Sequence, residues 1–562
     1  MMKKIFMMAA LALTIVACST DDTDIQTPTE QPAEQPAKTE GTITITAKLA
    51  PKSDAGTRAV ADNGDNKITV TWAKTEHLAI LYTVGSDKKV ADAEITDVDA
   101  TTGEATISFG VDGSTVDGTA CQIVYPLAAA KDDKTGVKDA ATLLAAQDGT
   151  LNTNLDVRVG NGTIHTSPAS LDVTTQPAAQ FAIFKFTVKD YAGTADVSVR
   201  PLKITIGTQD YVITPTAATN ELYAALPAIS SKGVSFTATG SDSKTYVCAK
   251  GNISFDAGKY YQTTLKMIPG ALPGMFTVDI DGKKVWFSQG NLQAVCTSAD
   301  GNFKTQETFT WQFATNQWDY IGYATANDDI DGDGSVKDAG TVDLFGWVGV
   351  GSSFSGAAQY GISNSVTGLY GNKDTDGLKS DWGTLAITNG GNTGNIGWRT
   401  LSKKEWEYIF ECPYRGSTVN GTENARYTYA TINTDGTGVK GIILFPDGVT
   451  FAVGEAEPWG NINDKPASNN WANSTKCSTA QWTALAAKGC VFLPITGYRD
   501  GYYVRCETSG GYYWSSSNYS SGNHSEDMLY AYCVSFDVSG FSSAKQEHRY
   551  YGMSVRLVRD AE

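Results

Sequence analysis

Three sets of residues in this 562-residue chain are of types and spacings that could do chemistry. Asp329, Asp331 and Asp333, with Gly334, form DIDGDG, which matches the opening of an EF-hand-type loop, where alternating carboxylates reach one hard cation and glycine permits the sharp turn. The twelfth position is Gly340 in place of a bidentate Glu, and no helix signal flanks the loop. A structural Ca²⁺ is therefore set against the alternative of a solvated acidic turn. Cys506 and Cys533 are the late thiols that could act as a reactive pair, yet no basic or histidine cluster adjoins them in sequence to lower a thiol pKa. Four His, at 77, 165, 524 and 548, leave no HExxH spacing. The third set is the largest: from Gly497 to Gly552, 21 of 56 positions are Tyr or Ser, which is the composition of a binding face rather than of a catalyst. Its candidate residues are Asp500, Tyr502, Tyr503, Arg505, Glu507, Asn518, Tyr519, Ser520, Ser535, Asp537, Ser542, Lys545, Glu547, His548, Tyr550 and Tyr551. Tyr offers large amphipathic contact area at little rotamer cost, and Ser, Asn and Asp offer adaptable hydrogen bonds.

These side chains need a scaffold. In Ala531 to Ser539 (AYCVSFDVS), period-2 alternation puts Tyr532, Val534, Phe536 and Val538 on the core face and Cys533, Ser535, Asp537 and Ser539 on the outer one. The final GMSVRLVR turns Met553, Val555 and Leu557 inward by the same rule, and Trp514 and Gly511 read as structural. WRTLSKKEWEYIF predicts a helix over Leu401 to Phe410, with Ser402 and Glu405 as a capping box and Trp406, Ile409 and Phe410 on its apolar face. A second helix is expected over Ser478 to Lys488, stopped by Gly489.

The length allows three or four domains. Lys3 and Lys4, the apolar Ile5 to Ile15 and the small residue before Cys18 read as a secretory signal, too short to span a bilayer. Residues 19 to 40 carry Pro, Glu, Gln and Thr without an aromatic and are expected to form an extended tether. From Gly41 to about Met267, short alternating segments such as TITITAKL, HLAILYTV and QFAIFKFTV argue for antiparallel sandwiches, divided near Pro177. The expected units are thus 41–177, 178–268 and 269–562, the last an α+β domain. A net charge of −17, from 44 basic and 61 acidic residues with no Lys/Arg cluster, excludes a nucleic-acid footprint. Nine Cys without CxxC spacing point to disulfides or buried thiols.

Resemblances sharpen this reading. Ile15-Val16-Ala17-Cys18 resembles the lipobox of bacterial lipoproteins, which implies that Cys18 carries the lipid anchor, and Asp21-Asp22 is similar to the signal for the outer face of a Bacteroidetes outer membrane. The order TRAV, ITVTWAKTEHLAILY, CQIVYP, FAIFKFTV and ISFDAGKYYQTTLKM resembles the fimbrillin family of Bacteroides-type pilus subunits over residues 41 to 268. That resemblance implies two tandem transthyretin-like sandwiches, cleavage by a trypsin-like protease after Arg58, and pilus partners joined by donor-strand insertion. MFTVDIDGKKVWFSQGNLQA, WRTLSKKEWEYIF, GCVFLPITGYRDGYYV, GGYYWSSS and YYGMSVRLVR together resemble the C-type-lectin-fold domains related to the formylglycine-generating enzyme, most closely the retroelement-diversified variable proteins, over about residues 272 to 559. In that family randomised adenines of an AAC codon yield Asn, Tyr, Ser, Asp, His, Gly, Arg or Cys, which most candidate positions hold. Lys545, Glu547 and Glu507 need another template codon, and Cys533 fits the scheme. The sugar-coordinating EPN and QPD signatures are absent, Glu457-Pro458-Trp459 being the nearest.

The resulting expectation is a lipid-anchored, surface-exposed adhesin, free or at a pilus tip, with SVRLVRDAE folded into its head and a protein or glycan ligand on another cell, phage or host surface. It is not expected to be an enzyme. Two other classes stay open: a glycan-binding lipoprotein of a polysaccharide-uptake system, and a degenerate formylglycine-generating-type enzyme.

Overall fold

Alternating apolar and polar residues make strands that need a second surface to cover their apolar side, and most of this chain is built that way. The computed structural model describes residues 41–52, 61–62, 68–152, 155–207, 209–296, 309–321, 340–348, 360–362, 380–391, 397–412, 416–434, 437–451, 462–501, 503–520, 522 and 529–561. Among them the chain is mostly β, in several sheets with few helices.

The first sheet has seven strands, in the order Thr42–Leu49, Ala105–Asp112, Asp87–Val98, His77–Val84, Thr119–Tyr125, Arg158–Thr166 and Ala169–Ala179. All pairs are antiparallel. Its two edge strands, Thr42–Leu49 and Ala169–Ala179, lie against each other, so the sheet wraps round a core that includes Ile45, Trp72, Leu78, Ile80, Ile107 and Ile123. The near-continuous apolar run HLAILYTV has its cause here: Leu78 and Ile80 point into this core, while Ala79 and Leu81 join the core of the next sheet. The last strand runs through Pro177 to Ala179, and the chain enters the second sheet at Phe181.

The second sheet is ordered Gln209–Ile213, Val199–Ile206, Ile229–Gly240, Thr245–Phe255, Tyr260–Pro269, Phe181–Asp190 and Glu221–Pro227. Phe181–Asp190 pairs with Tyr260–Pro269 in parallel, an exception to the antiparallel pattern that the sequence predicted.

The C-terminal region opens directly from that sheet, with Gly270 alone separating Tyr260–Pro269 from Ala271–Thr277. One hydrophobic cluster joins the two parts, containing Val247, Ala249 and Ile268 on one side and Ala271 and Trp286 on the other. A four-stranded sheet sets Ala271–Thr277, Lys284–Ser288, β6 (Leu557–Ala561) and Trp398–Thr400 side by side, which folds the final strand into the head. Helix α1 (Lys403–Glu411) starts at Ser402, whose hydroxyl accepts from the Glu405 amide at 3.3 Å while the Glu405 carboxylate accepts from the Ser402 amide at 2.8 Å. It buries Trp406, Ile409 and Phe410. Helix α2 (Thr479–Ala487) has the same box from Ser478 and Gln481 and ends before Gly489, whose φ is +92°. Both helices match the sequence expectation.

The candidate face rests on a hairpin of β1 (Tyr498–Asp500) and β2 (Tyr503–Arg505), and on a three-stranded antiparallel sheet of β3 (Gly510–Asn518), β4 (Tyr530–Asp537) and β5 (Gly540–His548). Among the described residues no helix is long and apolar enough to cross a membrane.

Candidate ligand-binding surface

The hairpin is the simplest part. Tyr498 stands opposite Arg505 and Asp500 opposite Tyr503, so these four share one face, while Arg499 and Val504 turn to the other and are buried. Arg505 Nε donates to Asp500 Oδ2 at 3.0 Å, and its guanidinium lies 5.8 Å from the Tyr503 ring. Tyr503 is 60% exposed, the most open Tyr of the site among the described residues. Arg499 is fully buried and donates to the Leu344 carbonyl at 3.3 Å; burial pulls its pKa down to about 9. Gly552 pairs with Arg499, and a Cβ there would meet the Arg499 guanidinium at 2.7 Å, so only glycine lets the chain pass at this level. Tyr551 is thereby carried to the side of Tyr498.

In the three-stranded sheet each cross-strand row shares a face. Tyr512, Ser535 and Ser542 form one row, Trp514, Cys533 and Lys545 the next, and Asn518, Ala531 and Glu547 the last. Trp514 is fully buried and its indole N–H donates to the Phe345 carbonyl at 2.6 Å. Gly511 faces Phe536 so closely that a Cβ would lie 2.2 Å from the ring, which confirms it as a scaffold position.

Above these supports the aromatic rings form one uninterrupted series. Tyr512 meets Tyr498 (centroids 4.9 Å), Tyr498 meets Tyr551 (4.8 Å), Tyr551 meets His548 (5.5 Å), His548 meets Tyr530 (4.5 Å), Tyr530 meets Tyr519 (6.1 Å) and Tyr519 meets Tyr532 (5.6 Å). Tyr550 packs on both His548 and Tyr551. A lysine closes each end: Lys545 Nζ lies 5.0 Å from the Tyr512 ring and Lys403 Nζ 4.6 Å from the Tyr532 ring. Lys545 also pairs with Glu547 at 2.7 Å. Burial first, then nearby acidic groups, push the phenols of Tyr498, Tyr512 and Tyr551 up, so at neutral pH they stay protonated and can donate.

None of the described candidate positions is buried; all are half-buried or exposed. The ribbon unites Tyr519, His548, Tyr550 and Tyr551, and through Tyr498 it adjoins Asp500, Tyr503 and Arg505. Ser535, Ser542, Asn518, Lys545 and Glu547 flank it. Asp537 stands apart at the hairpin end of the sheet, where its carboxylate accepts from the Ser539 amide at 2.7 Å. Glu507 and Ser520 sit at strand margins, outside the ring series. Tyr502, Cys18, Arg58, Asp329, Asp331 and Asp333 lie outside the described residues. Among the described residues no group of three metal-binding side chains occurs.

Two sequence expectations fail. Cys533 was expected on the outer face and Tyr532 in the core, whereas Cys533 is fully buried and Tyr532 is half-buried against Tyr519 and Lys403. The cause is that β4 crosses two cores: Ala531 and Cys533 pack with Trp514 in one cluster, and Val534 and Phe536 pack in another on the opposite side. The strand's two halves thus expose opposite faces. Val538 lies in the turn after β4, partly buried against the second cluster. The last segment differs too: Met553, Val555 and Leu557 point inward as expected, but Ser554, Arg556 and Val558 are buried as well, so it is covered on both faces. Tyr498, Tyr512, Tyr530 and Tyr532 were missed. Their signal was present in the cross-strand register, which brings tyrosines of separate segments into contact.

The thiols do not form a reactive pair of the expected kind. Cys506 is exposed at a turn with φ +60°, and burial raises the Cys533 thiol pKa well above its usual range, the reverse of nucleophile activation. Seven described Cys are unbridged, five of them buried, so the buried-thiol alternative holds for those five.

No protein-family model matches the chain. No curated protein matches it either. Similar solved structures include a fimbrial assembly protein from Parabacteroides distasonis (12% identity, 44% of this chain and 94% of that one, TM-score 0.25). The tip fimbrial protein Mfa3 from Porphyromonas gingivalis, with a C-terminal truncation, is similar at 9% identity over 40% of this chain and 95% of that one, TM-score 0.21. A fimbrial protein from Bacteroides ovatus aligns over 92% of this chain and 99% of that one, at 10% identity and TM-score 0.23. Likeness at this level leaves the functional argument to the chain's own residues.

Proposed function

We propose that the chain is a lipid-anchored cell-surface adhesin, displayed singly or at a pilus tip, and that its C-terminal head binds a protein ligand through the tyrosine ribbon. The observation that carries this reading is the unbroken series of aromatic rings, capped by Lys403 and Lys545 and laid over a fully buried scaffold. Rigid amphipathic rings bordered by Ser, Asn and paired charges are what binding hot spots are made from.

Consecutive rings meet at 69°, 43°, 82°, 32°, 83° and 70°. The ribbon therefore offers edges and phenolic oxygens more than the coplanar faces on which a sugar ring stacks, which favours a protein over a glycan ligand. In this proposal the two N-terminal sheets act as the stalk, with Cys18 as lipid acceptor and Arg58 as the processing site that admits a neighbouring subunit's strand. The candidate positions around the ribbon would be the diversified ones. The half-motif at Asp329, Asp331 and Asp333 is assigned within the proposal as a structural calcium site.

The test is adhesion of the labelled full chain to cultured epithelial cells and to bacterial cells, before and after protease treatment of those cells. Replacing Tyr503 and Tyr550 by Ala should weaken adhesion by roughly thirtyfold or more, since a hot-spot residue is worth about 2 kcal/mol or more. Unchanged adhesion of the double variant would sink the assignment of this face. Adhesion that survives protease but is lost after glycosidase would replace the protein ligand by a glycan.

A further inference from the structure

A buried lysine in the first sheet is not used by the binding face. Lys52 lies three residues past the edge strand Thr42–Leu49, and its side chain is only 1% exposed. Its Nζ stands 3.0 Å from Asp156 Oδ2, whose side chain is 3% exposed, and 3.7 Å from Glu76 Oε2. The Tyr125 ring (3.5 Å to the centroid) and the Trp72 ring (4.2 Å) wall the ammonium in. On the far side of the carboxylate, Arg158 Nε donates to Asp156 Oδ1 at 2.8 Å, and the same guanidinium reaches the Lys52 carbonyl at 3.0 Å. Although Nζ is within salt-bridge range, Asp156 Oδ2 has no partner of hydrogen-bonding geometry.

We propose that Lys52 and Asp156 join in an intramolecular amide, a cross-link made without any other component. The parts match the chemistry. Two cations, Lys52 and Arg158, face two carboxylates, Asp156 and Glu76, so moving the first proton from Lys52 to Asp156 Oδ2, 3.0 Å away, leaves the cluster's charge unchanged. Burial favours the neutral amine, lowering the Lys52 pKa against the pull of its acidic neighbours. The amine then attacks Asp156 Cγ, forming the Nζ–Cγ bond. Oδ1 takes the negative charge, and Arg158 Nε–H is in place to hold it. Glu76 carries the amine's second proton to Oδ2, the Cγ–Oδ2 bond breaks, and water departs. In sum an ammonium and a carboxylate become an amide and one water, with no change of oxidation state. The fixed contact supplies the high effective concentration that a free amine and acid lack in water.

The location gives the bond a purpose. Lys52 follows one edge strand, and Asp156 precedes Arg158–Thr166, the neighbour of the other edge strand. The two edges touch without a hydrogen-bonded ladder between them, so the amide would staple the seam at which the sheet closes.

Peptide mapping of the purified full chain decides the matter. The expected result is a branched peptide joining the Lys52 and Asp156 segments, one water lighter than its parts, and its disappearance in Lys52→Arg, which keeps the charge but cannot form this amide. Recovery of the two segments only as separate unmodified peptides overturns the proposal. So does a water loss that persists in Lys52→Arg, which would place the dehydration elsewhere. Glu76→Gln tests the proton carrier within the folded protein: the branched peptide should be strongly reduced, and full cross-linking would refute Glu76's part in the step.

Discussion

The ribbon predicts an energetic coupling between two residues far apart in other respects. Tyr498 is held on the hairpin and Tyr551 follows β5, yet their rings sit 4.8 Å apart at 43°. An aromatic pair of this geometry is worth about 0.5–1.5 kcal/mol beyond its buried area. Tyr551→Ala removes that pair along with the contacts to His548 and Tyr550, and Tyr498→Ala removes it along with the contact to Tyr512. The double variant should then be less destabilised than the sum of the single ones by about 1 kcal/mol, the worth of the shared contact. Thermal unfolding of the full chain reads this, because 1 kcal/mol shifts the melting point by roughly 2–4 °C in a domain of this class. Additivity within about 0.3 kcal/mol would refute the ribbon, since it would mean that the rings stand as independent surface residues.

Other outcomes separate scaffold from face. Trp514→Ala or Phe536→Ala should destabilise by about 3–5 kcal/mol in denaturant unfolding, whereas Tyr503→Ala should stay within about 0.5 kcal/mol. Gly511→Ala forces a methyl onto the Phe536 ring and should cost about 1–3 kcal/mol, read by the same titration. Burial raises the Cys533 pKa, so its thiolate is scarce at neutral pH: alkylation followed by mass spectrometry should label exposed Cys506 in the native protein and leave Cys533 unlabelled until unfolding. Labelling of both thiols at equal rates in the native state would contradict the packing of β4.

Local signals were legible where one residue decides the outcome. Ser402 with Glu405 at the start of the first helix and Gly489 at the end of the second mark helix ends because their hydrogen bonds and backbone angles are set within a few residues. Composition marked out the candidate positions, and every described one of them is at least partly exposed. What failed was phase. Alternation in AYCVSFDVS is real, but it does not say that Ala531 and Cys533 would meet one core and Val534 and Phe536 another, because that depends on elements far away in sequence. Tyr498, Tyr512, Tyr530 and Tyr532 were missed for a related reason: a tyrosine is at home in either setting, and register alone assigns it. The parallel pairing of Phe181–Asp190 with Tyr260–Pro269 is likewise a long-range choice that strand periodicity does not encode.

The single residue between Pro269 and Ala271 bears on mechanics. With Gly270 as the sole connector and a shared cluster of Val247, Ala249, Ile268, Ala271 and Trp286 across the join, the head has no slack linker on which to swivel. Tension applied at the tyrosine surface would pass straight into the second sheet as shear on that packed cluster. A join built in this way carries load from the C-terminal region into the second sheet as a stiff strut.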